Sequence, residues 1–161
     1  MRARPHSEAA ALSLCSARIA AGDPAEGAVA LAAFLGAHPD AHRTRIELAA
    51  LKAPAQPEEA LKLLDAAPST GALAGRAAYA RGLALLALNR SAEAFTAFSL
   101  AVSHDPAAGE YRWQRAVAAE GQNIHEARAF WESYIAWGKA NGEPAERIAA
   151  AEKRLLLRFG R

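Results

Sequence analysis

Histidine and cysteine are the residues of this chain whose chemistry could provide a metal site or a catalytic nucleophile. His38 and His42 are four residues apart, as two ligands on one helix face would be, but Pro39 lies between them in an expected turn and prevents that geometry. His125 stands in HEARA, which lacks the second histidine of a zinc-protease helix. We therefore expect no metal, and we interpret all five histidines as solvated loop or helix-end residues: His6, His38, His42, His104 and His125.

A nucleophile or a phosphate site has equally little support. Cys15 is the only cysteine, so it can form neither an internal disulfide nor a multi-cysteine metal site. It stands in an apolar helical pattern with no histidine assigned near it, which is typical of an inert buried thiol. The glycines of STGALAGRA, residues 69–77, lack the lysine and the preceding strand of a phosphate-binding loop. We expect a protein without catalytic activity and without a cofactor.

Four glutamates recur at a nearly constant interval. Glu26, Glu59, Glu93 and Glu126 are separated by 33, 34 and 33 residues. Each is expected near the start of a helix, where a negative charge is favoured by the helix dipole and can cap free amides. We therefore interpret them as structural rather than catalytic. A small residue follows each one: Gly27, Ala60, Ala94 and Ala127.

The composition predicts the fold class of the chain in which this interval occurs. A chain of 161 residues is long enough for one domain with a core. Its apolar fraction of 52% is rich in alanine, which favours helices, and no stretch alternates for long with the period of a strand. We therefore predict an all-α protein. The net charge of +2 is a near balance, which argues against a nucleic-acid binder because such proteins concentrate basic residues on one face.

The repeating unit is a helix, a tight turn and a second helix. A helical pattern precedes every turn, as in residues 77–88, and an apolar helical face follows it. Pro39, Pro68 and Pro106 are expected to end three of the second helices, because proline cannot continue a helix. The turns are expected at residues 22–24, 56–57, 89–91 and 121–123.

With these features the chain resembles a tetratricopeptide repeat (TPR) protein, whose units have 34 residues. Residues 75–108 match the pattern best, through Gly82, Leu85, Ala94, Phe98, Ala101 and Pro106. We expect Gly82 and Ala94 to lie where the two helices cross, and Phe98 to fill the space toward the following unit. The resemblance implies a single domain over residues 1–161, a right-handed α-solenoid of about four units (8–40, 41–70, 75–108 and 109–143) with a capping helix over 144–161.

The other units depart from the pattern at defined positions. The first has Cys15 in place of the small residue and Gly27 in place of the alanine. In the second, Pro68 comes early and predicts a closing helix about one turn shorter. The last has Arg115 at the small position, which predicts an irregular contact between its two helices.

The two ends of the chain allow more than one interpretation. Residues 1–22 begin with Arg2 and Arg4 but have too short an apolar stretch to favour a secretory signal, and no segment reaches the roughly 18 to 20 apolar residues of a membrane helix. We expect a cytoplasmic protein, with a periplasmic location or membrane association through a partner as the alternative. Residues 143–161 predict either a basic amphipathic helix on a membrane or, as we favour, a cap over the apolar edge of the last unit.

The resemblance implies that the first helix of each unit lines a concave groove that binds another protein or peptide. Arginines on one side would suit carboxylates of an acidic segment, and aromatic residues would act as anchors. The alternative is that the arginines are ordinary solvated side chains and that Trp113 belongs to the core. When the groove positions of TPR proteins are transferred to the first helices of these units, the groove candidates are Arg45, Lys52, Arg76, Tyr79, Arg112 and Trp113.

Two functions follow from these expectations. The first is a non-catalytic interaction module or scaffold that binds a partner polypeptide. The alternative is a structural subunit permanently embedded in a larger complex, with Trp131, Trp137 and Phe159 at the interface. The sequence leaves the oligomeric state and the partner open.

Overall fold

The structure, a computed structural model, describes residues 7–122 and 124–160, without the side chains at 124 and 125. Over these ranges the chain is all-helical and has no strand, which confirms the predicted all-α class. None of the helices in these ranges is long and apolar enough to cross a membrane. The helices are α1 Glu8–Ala20, α2 Pro24–Ala37, α3 His42–Lys52, α4 Pro57–Leu64, α5 Ala74–Ala87, α6 Ser91–His104, α7 Gly109–Glu120, α8 Ile124–Asn141 and α9 Ala145–Phe159.

The four periodic glutamates occupy equivalent positions. Each is the third residue of α2, α4, α6 or α8, so the interval in the sequence marks the start of every second helix. The small residue that follows each glutamate is buried in all four helices. At the start of α2, the side chain of Asp23 accepts a hydrogen bond from the amide of Glu26 at 3.2 Å and caps the helix.

The helix ends agree with the prolines at two of the three positions. α2 ends one residue before the cap at His38, directly ahead of Pro39, and α6 ends in the same way ahead of Pro106. α4 has eight residues against fourteen in α2 and α6, so the predicted shortening is real and exceeds one turn. It ends at Leu64 rather than at Pro68, and Arg81 of α5 donates to the Leu64 carbonyl at 3.1 Å.

Consecutive helices pack against each other, and α3 also contacts α1 and α5. The apolar side chains form a succession of clusters along the chain, beginning between α1, α2 and α3 and ending between α7, α8 and α9. Several close approaches depend on glycine, and two of them bear on the repeat pattern. A Cβ on Gly27 would lie 3.1 Å from Cys15 Sγ, and one on Gly82 would lie 2.5 Å from the Phe98 ring. Phe98 therefore packs back on Gly82 of its own helix pair, while Ala118 of α7 shares its cluster.

Arg115, which stands at the expected small position of the last unit, lies at the contact between α7 and α8. Its guanidinium lies 5.0 Å from the centre of the Phe130 ring, and burial lowers the pKa of Arg115, with the charge of Arg112 adding to the effect. The fully buried small residues of α7 are Ala116 and Ala118.

The last helix packs its apolar side on α8. Ala151 is fully buried there, and Ile148, Leu155 and Phe159 pack against the cluster that contains Trp131 and Tyr134. This side of α9 is therefore covered by protein, while Leu156 and Leu157 remain exposed on its other side. The buried carboxylate of Glu120 at the end of α7 holds the three helices together: it accepts from Trp131 Nε1 at 2.7 Å and from Arg154 at 2.8 and 3.1 Å.

Candidate binding cleft

Alternate helices line a cleft on one side of the molecule. The larger part has a volume of about 460 Å³ and lies between α1, α3 and α5, and a smaller part of about 210 Å³ continues to α7. We call the two parts together the odd-helix cleft. Its lining residues are Leu12, Cys15, Ser16, Ile19, Arg43, Ile46, Glu47, Ala50, Leu51, Arg76, Tyr79, Leu83 and Tyr111.

Helical spacing brings these side chains to one side. Leu12, Ser16 and Ile19 follow each other at four and three residues along α1, and Arg76, Tyr79 and Leu83 do so at three and four along α5. Such spacing keeps side chains on one face of a helix. Ile19 is 45% exposed although it is a large apolar residue, so the α1 wall of the cleft presents apolar surface to solvent.

The charged residues of the cleft are one carboxylate and two guanidinium groups. Arg76 of α5 forms an ion pair and a hydrogen bond with Glu47 of α3, which places a compensated pair in the centre. Arg43 is exposed one turn before Glu47 on the same helix, and it has no hydrogen-bond or ion-pair partner within the described part of the chain. The centre of the cleft is therefore neutral, and its available positive charge lies toward the start of α3.

Tyr79 forms the aromatic wall between the two parts of the cleft. Its ring stacks on Tyr111 of α7 with 4.8 Å between centroids, and its centroid lies 5.8 Å from that of the Phe98 ring. Its hydroxyl donates to Glu110 Oε1 at 3.1 Å. Burial, followed by the charge of Glu110 and this hydrogen bond, raises the pKa of Tyr79 well above its usual value, so the phenol stays neutral at physiological pH.

Glu110 connects the cleft to the last helix. Its carboxylate also accepts from Gln114 at 3.0 Å and forms an ion pair with Arg147 of α9. Arg147 in turn pairs with Glu143 at 3.1 Å, and Glu143 accepts from the hydroxyl of Tyr134 at 3.0 Å. The position of Tyr79 is thus tied to α9 through a continuous set of polar contacts.

Of the six groove residues predicted from the sequence, the structure brings Arg76 and Tyr79 together in the odd-helix cleft. Arg45 lies outside it and binds backbone carbonyls of two connections, Ala66 at 2.9 Å and Pro39. Lys52, the last residue of α3, pairs with Glu59 of α4 at 2.9 Å and donates to Gln56 at 2.8 Å. Both of these cations hold neighbouring segments of the chain.

The two candidates on α7 also make internal contacts. Arg112 donates to the Pro106 carbonyl at 2.9 Å, and its guanidinium lies 4.9 Å from the centre of the Trp137 ring. Trp113 is half-buried and packs edge-on against Trp131, with 4.8 Å between centroids. It belongs to the cluster between α7, α8 and α9, as the alternative interpretation of Trp113 required.

Sequence reasoning missed Arg43, Glu47 and Tyr111 as lining residues. The signal that could have found one of them is the interval itself, because Arg43 lies 33 residues before Arg76 and Arg45 lies 31 before it. Cys15 reaches the cleft wall but is buried, and burial, helped by the charge of Glu47, raises the pKa of its thiol. A thiol in this state is a poor nucleophile.

The histidines within the described residues are placed at helix ends. His38 is the C-cap of α2, His42 is the first residue of α3, and His104 is the last residue of α6. His6 and the side chain of His125 lie outside the described residues. Among the residues that the structure does describe, no group of three or more histidine, cysteine, aspartate or glutamate side chains could hold a metal ion.

Comparison of this chain with models of known protein families, with curated proteins and with solved structures finds no match. The resemblance to TPR proteins therefore depends on the interval and the residue pattern alone, and it stays a prediction.

Proposed function

We propose that this chain is a non-catalytic interaction module that binds a partner polypeptide in the odd-helix cleft. In this proposal the helices form a right-handed solenoid of about four TPR-like units, with α9 as its cap. The equivalent positions of the four glutamates and the packing of successive helices support the solenoid. The proposed location is the cytoplasm.

The observation that carries the proposal is the composition of the odd-helix cleft. Four alternate helices line the two adjoining parts of this cleft, whose walls combine apolar side chains with the stacked rings of Tyr79 and Tyr111. Binding sites of this kind are concave and largely apolar, with a few placed polar groups. Aromatic residues held rigidly at such a site are frequent anchors for a partner.

A matched pair of surface substitutions tests the proposal. Ile19 in the cleft is 45% exposed and Val29 on α2, outside the cleft, is 61% exposed, so glutamine at either position removes apolar surface with little effect on folding. Peptides selected from a random 12-residue display library on the purified chain serve as probes, and fluorescence anisotropy measures their affinity.

The Ile19→Gln variant is expected to weaken the binding of the selected peptides about five- to tenfold, which corresponds to burial of the part of this aliphatic side chain that the free protein exposes. The Val29→Gln variant should bind as the unchanged protein does. Equal binding by all three proteins, or a loss confined to Val29→Gln, would place the interaction outside the cleft.

A second candidate function, a subunit permanently embedded in a larger complex, is favoured by exposed apolar side chains outside the cleft. These are Val29, Leu100 and the pair Leu156 and Leu157. The interface residues expected from the sequence do not form such a surface, because Trp131 is fully buried and Trp137 and Phe159 pack in the same cluster. Light scattering coupled to size-exclusion chromatography distinguishes the candidates, since a stable monomer argues against an obligate subunit.

A further inference from the structure

The cationic side chains near the cleft differ in whether they already bind a carboxylate or carbonyl group of the protein. Arg76 is paired with Glu47 inside the cleft. Arg45 and Arg112 bind backbone carbonyls outside it. An acidic segment bound across several arginines, the partner expected from the sequence, would therefore have to displace these internal contacts.

Arg43 is the exception among the charged residues that line the odd-helix cleft. It is exposed at the edge of the larger part, and the described residues provide it with no ion-pair or hydrogen-bond partner. A carboxylate placed here would gain a partner without breaking one, and the fork of a guanidinium suits a carboxylate. The charge of the cleft thus offers one position for a negative group.

The remaining surface of the cleft is apolar or aromatic. Ile19 and Leu12 of α1 line the larger part together with Tyr79 and Leu83 of α5. The hydroxyl of Tyr79 is occupied by Glu110, so the ring is the part of this residue that a partner can contact. Burial of apolar surface is then the main source of affinity, and the charge supplies orientation.

We infer that the odd-helix cleft binds a polypeptide segment that is anchored by apolar side chains and carries a single carboxylate, which pairs with Arg43. This inference rests on the proposed function. It specifies the partner as a mainly apolar segment with one placed acidic residue. A strongly acidic tail or a nucleic acid would meet only one unmatched cation here, too few for either kind of ligand.

The experiment uses the peptides selected from the 12-residue library together with a charge exchange. The Arg43→Glu variant reverses the proposed contact. It is expected to fold normally, because Arg43 is an exposed residue in the first turn of α3, where a negative charge is favoured. The control is Lys62→Glu on α4, which reverses an exposed charge outside the cleft.

The inference predicts that the selected peptides share apolar residues and one acidic residue. Arg43→Glu should weaken their binding about five- to tenfold, somewhat more than the loss of one exposed ion pair because repulsion replaces attraction. Replacing the acidic residue of the peptide by lysine should weaken binding to the unchanged protein and restore it to Arg43→Glu. Lys62→Glu should have no effect.

The outcomes separate this inference from the function on which it rests. If Ile19→Gln weakens binding but Arg43→Glu does not, or if the selected peptides carry runs of acidic residues, the inference is overturned and the cleft remains the binding site. If Ile19→Gln has no effect, or if the library yields no binding peptide, both the inference and the proposed function are overturned.

Discussion

The hydroxyl of Tyr79 donates to Glu110 at 3.1 Å, and this contact fixes the aromatic wall of the cleft to α7. Because Glu110 also pairs with Arg147, the cleft and the last helix share one carboxylate. Through this carboxylate, α9 helps to hold a residue of the proposed binding surface in position.

The replacement Glu110→Gln should lower the pKa of Tyr79. The negative charge of Glu110 raises that pKa and an amide carries no charge, so this contribution is lost while burial of the phenol remains. Ultraviolet titration of tyrosine, with Tyr79→Phe to identify the signal, measures the shift. An unchanged titration of Tyr79 in Glu110→Gln would show that the contact is absent in solution.

The replacement Gly82→Ala should destabilise the protein by about 1–3 kcal/mol, because its Cβ would lie 2.5 Å from the Phe98 ring. Gly36→Ala on α2 is the matched control, since a Cβ there meets nothing within 4 Å. Its better helix propensity should raise the free energy of unfolding by about 0.5–1 kcal/mol. Urea unfolding measures the free energy of unfolding of both variants. Changes of similar size and the same sign in the two variants would refute the close contact between α5 and α6.

The replacement Glu120→Ala should lower the free energy of unfolding by about 3 kcal/mol, because it leaves Trp131 Nε1 and the guanidinium of Arg154 without their carboxylate. The side chain of Glu120 is only 8% exposed, so water replaces the lost contacts poorly. Glu132→Ala removes an exposed carboxylate paired with Arg128 and should cost less than about 0.5 kcal/mol. Denaturant unfolding compares the two, and equal effects would contradict the role of Glu120.

Stability should fall at alkaline pH through Tyr134. Burial, followed by the hydrogen bond to Glu143, raises the pKa of Tyr134 to about 12 from the usual value of 10. The folded state thus holds this proton more tightly, and the resulting stabilisation is complete below pH 10 and is lost as the pH rises toward 12. Unfolding free energies between pH 9 and 12 should decline more steeply in the unchanged protein than in Tyr134→Phe. Parallel curves would mean that Tyr134 titrates normally.

The sequence predicts the helices of this chain better than it predicts the cleft. Alanine content, turn residues and the interval of the glutamates are local signals, and they correctly place the starts of α2, α4, α6 and α8. The end of α4 is different: the helix stops before Pro68, and the carbonyl of its last residue accepts from Arg81, seventeen residues later. Local patterns contain no information on such a contact.

The candidate site depends on helix rotation, and this explains which residues the sequence identifies. Two residues along a helix correspond to about 200° of rotation, so assigning Arg45 rather than Arg43 moves the side chain to the opposite side of α3. Arg76 and Tyr79 lie in the unit that matches the repeat pattern best. Their positions on α5 could therefore be read from that unit directly, without alignment to another unit. Arg147 and Glu110 are 37 residues apart in the sequence, so their contact can be identified only from the folded structure.

Photo-crosslinking tests the central claim, polypeptide binding in the odd-helix cleft, most directly. Ser16 is exposed in the cleft, and Ser103 is exposed on α6, which does not line it. A benzophenone amino acid is introduced at either position, and the protein is irradiated with a selected 12-residue peptide. The account predicts a crosslink from position 16 and none from position 103. A crosslink from position 103 alone, or equal yields from both, would contradict it.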